Sequence, residues 1–386
     1  MLRTNNAVSK SFFGTSHGGE HFIVIEPDAD LDLPGQIDDL GRRYEAARRA
    51  LSLAPGSAVF RRVFLSDAMN QAPLVRQSAL AADEDGSPVA FSLIQQPPLS
   101  QAKIALLAYH IDDPRGLEKK WLTPRHVLIG RGPLAHLWTT GLCGGDEDAL
   151  IPVARQTREA FCSLISTIAG LGGTLHDNCV RTWIYVKDVD VFYNDMVASR
   201  RALFSEHDLS AATHFIASTG IEGASANRYD IVTMDAYSVL GLAPAQVSYL
   251  NDFAYLCPTQ DYNVTFERAT RIAYADRAHL MISGTASIDG AGRVVHPGDV
   301  LRQLDRALEN VAALLRAGDA GLNALMHLIV YLRDPADYWR VRAALAERLP
   351  DVPAVFVQGR VCRPDWLVEI EGIAITGQAA PTLPAF

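Results

Sequence analysis

Two glutamates near the end of the chain, Glu369 and Glu371, have the spacing of side chains that share one face of a strand. The apolar residues Val368 and Ile370 alternate with them, and successive side chains of a strand point to opposite faces. A carboxyl group that is partly removed from water has a raised pKa and can act as a general acid near neutral pH. The alternative is a solvent-facing strand with no chemical role, and these residues alone leave it open.

Cys362 lies seven residues before Glu369 and next to Arg363. A thiol becomes a reactive thiolate when positive charge is close to it, which Arg363 could provide. On a regular strand, however, these two neighbouring side chains would point to opposite faces. Free cysteines are also commonly small buried apolar residues, so a chemical role and a packing role both stay open.

The elements that must position these residues belong to a threefold internal repeat. Similar segments occur at residues 60–67 (FRRVFLSD), 181–188 (RTWIYVKD) and 327–334 (HLIVYLRD). Each segment is rich in β-forming residues, follows an amphipathic helix and precedes a second helix. The repeated unit is therefore a whole module, and repeats decide how the fold is assigned.

The helix before each repeated segment is recognised by its apolar stripe. Apolar residues recur every three or four positions, and in the last copy Gly318 predicts the end of the helix. The three stripes are Ile37, Leu40, Tyr44, Ala47 and Leu51; Phe161, Leu164, Ile165 and Ile168; and Leu301, Leu304, Leu308, Val311 and Leu315. Each stripe predicts a helix that covers one face of a sheet.

We therefore predict an α+β protein of tandem modules, each a mixed β-sheet with two helices on one face. The predicted division is a flexible N-terminus (1–18), a degenerate first module (19–115), a second module (116–245) and a third module (246–386) that carries the chemistry. The first module has no clear opening hairpin, unless residues 20–26 are its remnant. Three open sheet faces would bury one another most economically around a common axis, as a pseudo-trimer within one chain.

The composition argues against several classes of function. The formal net charge is −9 and no run of Lys or Arg occurs, which disfavours nucleic-acid binding. No apolar stretch is long enough to span a membrane, and the first residues lack the apolar core of a signal peptide. Five cysteines without disulfide-rich or metal-ligand spacing favour the cytoplasm, and neither a metal nor an organic cofactor is expected.

The sequence also resembles known proteins. Residues 283–299 (SGTASIDGAGRVVHPGD), 328–334 (LIVYLRD) and 362–375 (CRPDWLVEIEGIAI) are similar to the RidA superfamily, whose single-module members form homotrimers with clefts between subunits. Within it, the chain resembles the chorismatases, which convert chorismate to pyruvate plus a hydroxybenzoate or a dihydroxycyclohexadiene carboxylate. The similar segments are RTWIY (181–185), ASTGI (217–221), QVSY (246–249), FERA (266–269), SGTASI (283–288) and CRPDWLVEIEG (362–372).

The resemblance implies roles for the two residues first considered. Glu369 would face a ligand cleft as a proton donor or acceptor, and Cys362 matches a position at which chorismatases that make 3-hydroxybenzoate carry a cysteine. The second module has Thr233 at the position equivalent to Glu369, and the first has an apolar residue near Ala105. One active cleft of three is therefore expected.

Chorismate carries two carboxylates, so a pocket for it needs at least two cationic or multi-donor groups. A glycine in such a pocket would let a ligand approach the backbone closely. The alternatives are that the small residues form a turn and that the arginines lie at solvent-exposed ends of strands. The residues that we predict to bind substrate are Arg181, Tyr185, His214, Gly284, Thr285 and Arg363.

One departure from the RidA pattern disfavours imine deamination. The imine deaminases of that superfamily hold the substrate carboxylate with an arginine fifteen residues before the glutamate, where this chain has Ala354. In the second module we assign the analogous position to His214, which would supply a donor from a neighbouring module.

We therefore predict a cofactor-independent, chorismatase-like lyase or hydrolase that acts on a small anionic metabolite and forms 3-hydroxybenzoate and pyruvate. An enamine or imine deaminase and a non-catalytic metabolite-binding protein are the alternatives. No nucleic-acid or membrane partner is expected. The protein would be either a monomer, as an internal pseudo-trimer, or a homo-oligomer.

Overall fold

The computed structural model describes residues 2–4, 7–15, 18–83, 86–146, 148–262 and 264–386. These residues form three six-stranded mixed sheets, one after the other along the chain, with helices packed on them. The predicted α+β class and the three tandem modules are confirmed.

The elements follow the same succession in each module, apart from the short helix α4 in the second. The first sheet and its helices comprise β1 (Leu2–Thr4), β2 (Ala7–Phe13), β3 (Gly19–Ile25), α1 (Leu33–Ala50), β4 (Ala58–Leu65), α2 (Ala68–Arg76), β5 (Ala90–Gln95) and β6 (Ile104–Asp112). The second comprise β7 (Glu118–Thr123), β8 (His126–Arg131), β9 (Leu134–Cys143), α3 (Val153–Gly170), α4 (Leu175–Asn178), β10 (Cys179–Val186), α5 (Val189–Glu206), β11 (Ala217–Glu222) and β12 (Val232–Leu240). The third comprise β13 (Val247–Leu250), β14 (Ala269–Ala273), β15 (Arg277–Ala286), α6 (Val300–Ala317), β16 (Leu325–Leu332), α7 (Tyr338–Arg348), β17 (Ala354–Gln358) and β18 (Val368–Gly377).

The three sheets share one strand order. It is β1-β2-β3-β6-β4-β5 in the first, β7-β8-β9-β12-β10-β11 in the second and β13-β14-β15-β18-β16-β17 in the third. The strand of each repeated segment (β4, β10 or β16) pairs parallel with an edge strand and antiparallel with the last strand of its module. The repeat that is visible in the sequence is thus a repeat of topology.

The predicted helices form where the apolar stripes lie. In α1 the stripe residues Ile37, Leu40, Tyr44 and Ala47 are buried against the first sheet. Helix α6 begins with the Asp299 side chain accepting from the Arg302 N–H, which caps an otherwise unpaired donor, and it ends at Gly318 as predicted.

The N-terminal segment differs from the prediction of a flexible tail over residues 1–18. Strand β2 pairs along its whole length with β3, so the first module does open with a hairpin, and β3 overlaps the suspected remnant. The serines and Lys10 made this segment look like a polar tail, although Ala7 and Ser9 alternate onto a buried face. The other module boundaries stay predictions.

The modules pack in a closed ring. Strand β5 contacts β9, β11 contacts β15, and β16 contacts β2, so each module touches both of the others. Isolated β-bridges join Gln95 to Ala224, Ala217 to Glu267, and Pro98 to Val357. One apolar cluster contains buried residues of all three sheets, including Phe22, Trp138 and Met281. The predicted packing around a common axis is confirmed.

Besides a buried pair of Arg131 with Asp113 between the first and second modules, three buried ion pairs accompany this ring, one at each module boundary. They join Arg62 to Asp235 at 2.9 Å, Arg181 to Glu371 at 2.5 Å, and Arg277 to Glu20 at 2.7 Å. Each module therefore supplies an arginine to one neighbour and an acid to the other. We call these contacts the boundary ion pairs. Removing one member would leave a buried charge without compensation, which typically costs about 3–5 kcal/mol.

Candidate active site

A cleft between the second and third modules contains Glu369. Its lining comes from α5, β11, β15, β18 and the loop before β18, and its empty volume is about 460 Å³, including the open mouth. We call it the inner cleft. The residues that line it are Tyr193, Arg200, Ser218, Thr219, Gly220, Phe266, Arg268, Gly284, Ala286, Ile288, Cys362, Trp366 and Glu369.

Glu369 is the acid of the inner cleft. Its strand position pairs with Tyr331 of β16, and the side chain is only 5% exposed. Burial, followed by the negative charge of Glu371, raises the pKa of Glu369 to about 8. The carboxyl group is therefore mainly protonated at neutral pH, which is the state that a general acid requires.

Gly284 leaves the space that the Glu369 carboxyl group occupies. It lies in a β-bulge, because the register of β15 against β18 shifts between Ile282 and Thr285. A β-carbon at residue 284 would lie 2.2 Å from Glu369 Oε1. The bulged N–H of Gly284 donates to Thr219 Oγ1 of the second module at 2.9 Å. Only glycine fits here without displacing the acid.

Glu371 lies on the same strand face as Glu369 but in a different environment. It accepts hydrogen bonds from Arg181 at 2.5 Å, Trp183 Nε1 at 2.9 Å and Tyr331 at 3.0 Å, and also from the Thr219 hydroxyl. No described residue forms a hydrogen bond with Glu369. The two acids thus have separate tasks: Glu371 is fixed in the boundary ion pair, and Glu369 is available to a ligand.

Two buried arginines also line the inner cleft. Arg200 of α5 is 1% exposed and donates to Thr265 Oγ1 at 3.3 Å and Ser218 Oγ at 3.5 Å. Arg268, just before β14, is 3% exposed and donates to the Cys257 carbonyl at 2.9 Å. Guanidinium groups bind carboxylates through several N–H donors at once. The cleft therefore combines a protonated acid with two cationic groups suited to anions.

Cys362 is half-buried in the loop before β18. Burial, followed by the nearby Glu369 carboxyl group, raises the pKa of this thiol to about 12. A hydrogen bond joins it to the Tyr193 side chain. Cys362 is consequently a neutral thiol at physiological pH, so the thiolate considered from the sequence does not form. The adjacent Arg363 stacks on Trp366 at 4.7 Å and donates to the Gly292 carbonyl.

Comparisons with known proteins agree with this fold. A family model described as endoribonuclease L-PSP matches residues 268–376. A chorismatase from Streptomyces rapamycinicus is 31% identical over 250 residues, which cover 58% of this chain and 72% of that protein. The chain belongs to the chorismatase family. The resemblance predicted from the sequence is thereby confirmed.

A second curated protein and a solved structure are also similar to this chorismatase family member. A 3-hydroxybenzoate synthase from Streptomyces hygroscopicus is 29% identical over 258 residues, covering 60% of this chain and 73% of that protein. A chorismatase crystal structure aligns with 93% of this chain and 99% of its own, with a TM-score of 0.65 and 20% identity. That likeness shows a common fold over nearly the whole chain.

The chorismatase family member gathers some predicted site residues in the inner cleft and leaves others outside. Glu369, Cys362 and Gly284 line it, whereas Arg363 lines an adjoining cavity. Arg181, which was predicted to bind substrate, is instead buried against Glu371. Its charge is needed to compensate that acid.

Tyr185 and Thr285 do not line the inner cleft either. Tyr185 is buried in the core shared by the three modules, with the Arg62 guanidinium 5.6 Å from its ring. Thr285 is buried and donates to the Ser283 carbonyl at 2.9 Å, because the bulge turns Gly284 toward the cleft in its place. Alternation along a regular strand did not anticipate that bulge.

His214, which was also predicted to bind substrate, is not among the residues that line the inner cleft. Its ring stacks on Tyr249 at 4.1 Å and lies 4.3 Å from His176, outside the inner cleft. Nor is it the counterpart of Ala354: Ala354 pairs with Leu328, and the matching pair in the second module is Ser218 with Thr182. Ser218 lines the cleft beside Arg200, so that arginine stands close to the strand position where the RidA imine deaminases carry theirs.

The missed cationic residues had weak sequence signals. Arg268 lies within the FERA segment (266–269), and Arg200 follows Tyr193 by seven residues, which is two turns of a helix and hence the same face. Neither pattern predicts that this face of α5 contacts the next module, because that contact depends on how the modules pack.

The other two modules lack the acid, as predicted. Thr233 pairs with Tyr185, and Ala105 pairs with Phe64, in the same registers as Glu369 with Tyr331.

Among the described residues, no three His, Cys, Asp or Glu side chains come together as metal ligands. None of the helices in the described part of the chain combines the length and apolar character needed to cross a bilayer.

Proposed function

We propose that this protein converts chorismate to pyruvate and a hydroxybenzoate, with Glu369 as the proton donor. The observation that carries the proposal is a protonated carboxyl group in a cleft that also holds Arg200 and Arg268. The named activities of the relatives, chorismatase and 3-hydroxybenzoate synthase, support the choice of substrate.

In the proposed reaction, Arg200 and Arg268 bind the two carboxylates of chorismate. Glu369 protonates the methylene carbon of the enol ether, the bond between the ring carbon and the ether oxygen breaks, and pyruvate leaves with that oxygen. The ring then loses one proton as it becomes aromatic, and the Glu369 carboxylate accepts it. This route consumes no water, whereas a dihydroxycyclohexadiene carboxylate product would require one added water molecule.

Cys362 is proposed to favour 3-hydroxybenzoate among these products. As a neutral thiol beside Glu369, it occupies part of the cleft without presenting a charge. We propose that it keeps water away from the activated ring, so that an internal shift of the remaining hydroxyl group completes the reaction. It takes no covalent part.

The experiment is a pyruvate-coupled assay with chorismate, followed by chromatography of the aromatic product. The Glu369→Gln variant keeps the shape of the side chain but cannot donate the proton, and we expect its rate to fall by about 10²- to 10⁴-fold. The matched control is Thr233→Val, at the equivalent strand position of the second module, with little change expected. If the unmodified protein forms no pyruvate, the proposed function is wrong.

The same preparation separates the alternatives. Ammonia release from a freshly generated amino-acid enamine would indicate an imine deaminase. Tight binding of chorismate without turnover would indicate a binding protein.

We further propose that the protein acts in the reducing cytoplasm as a monomer. The five free cysteines support the first point, and the mutual burial of the three sheets within one chain supports the second. Molecular mass in solution by light scattering tests the oligomeric state.

A further inference from the structure

A second cavity lies next to the inner cleft, and the two share only Tyr193 and Cys362 among their described lining residues. Its empty volume is about 870 Å³, including its open side. We call it the outer chamber. Besides the two shared residues, its lining includes Asn194, Ala198 and Arg201 of α5 and Arg363 of the loop before β18.

Helix α5 forms part of the wall between the two spaces. Tyr193 and Arg200 lie seven residues apart and face the inner cleft, whereas Asn194, Ala198 and Arg201 follow the next stripe and face the outer chamber. Arg200 and Arg201 are adjacent in α5, and they line the inner cleft and the outer chamber respectively. Arg200 is fully buried, and Arg201 is half-buried.

The partition itself consists of two side chains. The Tyr193 hydroxyl meets the Cys362 sulfur in a hydrogen bond, and the ring packs on Gly220, where an added β-carbon would lie 3.1 Å from Tyr193 Cε2. Both partition residues are half-buried. A turn of the Tyr193 side chain about its own bonds would join the chamber to the cleft, since exposed and half-exposed rotamers exchange readily.

The charge of the outer chamber is opposite to that of the molecule. The chain carries a formal net charge of −9, so a dianion is repelled by the protein as a whole. Arg201 and Arg363 place two positive groups at the chamber. A local positive cavity raises the concentration and the association rate of an anion, by about 10- to 10³-fold in known cases.

We propose that the outer chamber is an entry site for small dicarboxylates, in which Arg201 and Arg363 capture the anion before it passes the Tyr193–Cys362 partition into the inner cleft. This inference rests on the proposed function, since that function supplies the dianionic substrate. It assigns Arg201 and Arg363 to capture, and it leaves proton donation to Glu369.

The test measures association without turnover. In the Glu369→Gln background, chorismate is mixed with protein in a stopped-flow instrument, and the fluorescence of Trp366, which lines the inner cleft, reports arrival. The chain has five tryptophans, so Trp366→Phe must abolish the signal for the assignment to hold. The rate is measured from low salt to about 1 M salt, where the Debye length shrinks from about 30 to 3 Å.

Charge variants test the capture step. With Arg201→Gln or Arg363→Gln we expect the association rate at low salt to fall by about 3- to 10-fold and the difference to vanish at high salt. Arg302→Gln, an exposed arginine of α6, removes the same charge elsewhere and should change the rate by less than about 2-fold.

Filling the chamber tests the route. Ala198→Trp would occupy the outer chamber and should slow association, whereas Ala202→Trp, one turn further along α5 and exposed, should not. Unchanged association in Arg201→Gln, Arg363→Gln and Ala198→Trp would overturn this inference and leave the proposed function standing. If the unmodified protein forms no pyruvate from chorismate, the proposed function fails instead.

Discussion

Arg181 of the second module donates to Glu371 of the third at 2.5 Å, and Glu371 lies two residues from the acid of the inner cleft on the same strand face. The negative charge of Glu371 contributes to the raised pKa of Glu369, after burial. A contact that holds two modules together therefore also sets the proton affinity of the proposed catalytic group.

Glu371→Gln should move the pH dependence of activity. Without the charge of Glu371, the pKa of Glu369 falls from about 8, because a like charge is removed and Arg181 is left uncompensated. Activity requires protonated Glu369. The decline of activity at alkaline pH should therefore begin at a pH lower by on the order of one unit. The matched control is Asp235→Asn, which breaks the boundary ion pair with Arg62. It should destabilise the protein similarly but leave the pH profile in place.

Glu369→Gln should stabilise the protein at high pH. The folded-state pKa of Glu369, about 8, exceeds its ordinary value of 4.5, so folding favours the protonated form. The corresponding stability is complete below about pH 4.5 and is lost as the pH rises to 8. Glutamine does not ionise and keeps this stability. The free energy of unfolding of the variant should therefore exceed that of the unmodified protein at pH 8.5 by on the order of a few kcal/mol. Urea unfolding at pH 4.5 and pH 8.5 measures the difference; an equal difference at both would contradict the raised pKa.

Gly284→Ala should abolish most activity with little effect on folding elsewhere. The added β-carbon would lie 2.2 Å from Glu369 Oε1, so the carboxyl group must move away from the substrate. A misplacement of about 1 Å can cost a factor of about 10² in rate. Gly130→Ala, on strand β8, is the matched control, because its new β-carbon would meet its nearest neighbour at an ordinary 3.5 Å. Comparable activity of the two variants would argue against the proposed position of the acid.

Cys362→Ala should change the products more than the rate. A thiol whose pKa is raised to about 12 is neutral and is a poor nucleophile near pH 7. Pyruvate release should therefore stay within about 10-fold of the unmodified protein, since a positioned neutral group contributes less than a proton donor. The ratio of 3-hydroxybenzoate to other aromatic or dihydroxy products should fall. A loss of pyruvate release as large as that of Glu369→Gln would instead indicate a covalent role for the sulfur.

Arg200→Gln and Arg268→Gln should each weaken substrate binding. Loss of a guanidinium group that holds a carboxylate raises KM or lowers kcat/KM, by about 1.5–3 kcal/mol in free energy, which is on the order of 10- to 10²-fold. Arg228→Gln is the exposed control. If kcat/KM with chorismate is unchanged in both cleft variants, the carboxylates bind elsewhere.

The modules and the strand position of Glu369 could be predicted from the sequence. Apolar stripes and the repeated segments predicted the helices and the strands they flank, because burial against a sheet leaves a regular pattern. Alternation placed Glu369 and Glu371 on one face, and the structure confirms it. The equivalent Thr233 and Ala105 were also found by counting along the repeat.

The rest of the candidate site depends on contacts between modules, which leave no local pattern. Arg181 was predicted to bind substrate because it is basic, but the neighbouring module presents Glu371 to it. Arg200 was missed because α5 faces its own sheet and the next module at once. His214 was misassigned because the offset of β11 within the repeat is only visible from its pairing with β10.

The boundary ion pairs also determine which modules can lie next to one another in the ring. One boundary uses the short acid Asp235, another the longer Glu371 within a set of four donors, and the third Glu20 with an arginine from a different strand. In a ring of identical subunits all three contacts would have to be the same, and any subunit could take any place. Here each module fits one neighbour on each side, so the cyclic order of the modules is encoded in buried charge. The cleft that contains Glu369 consequently always forms between the same two modules.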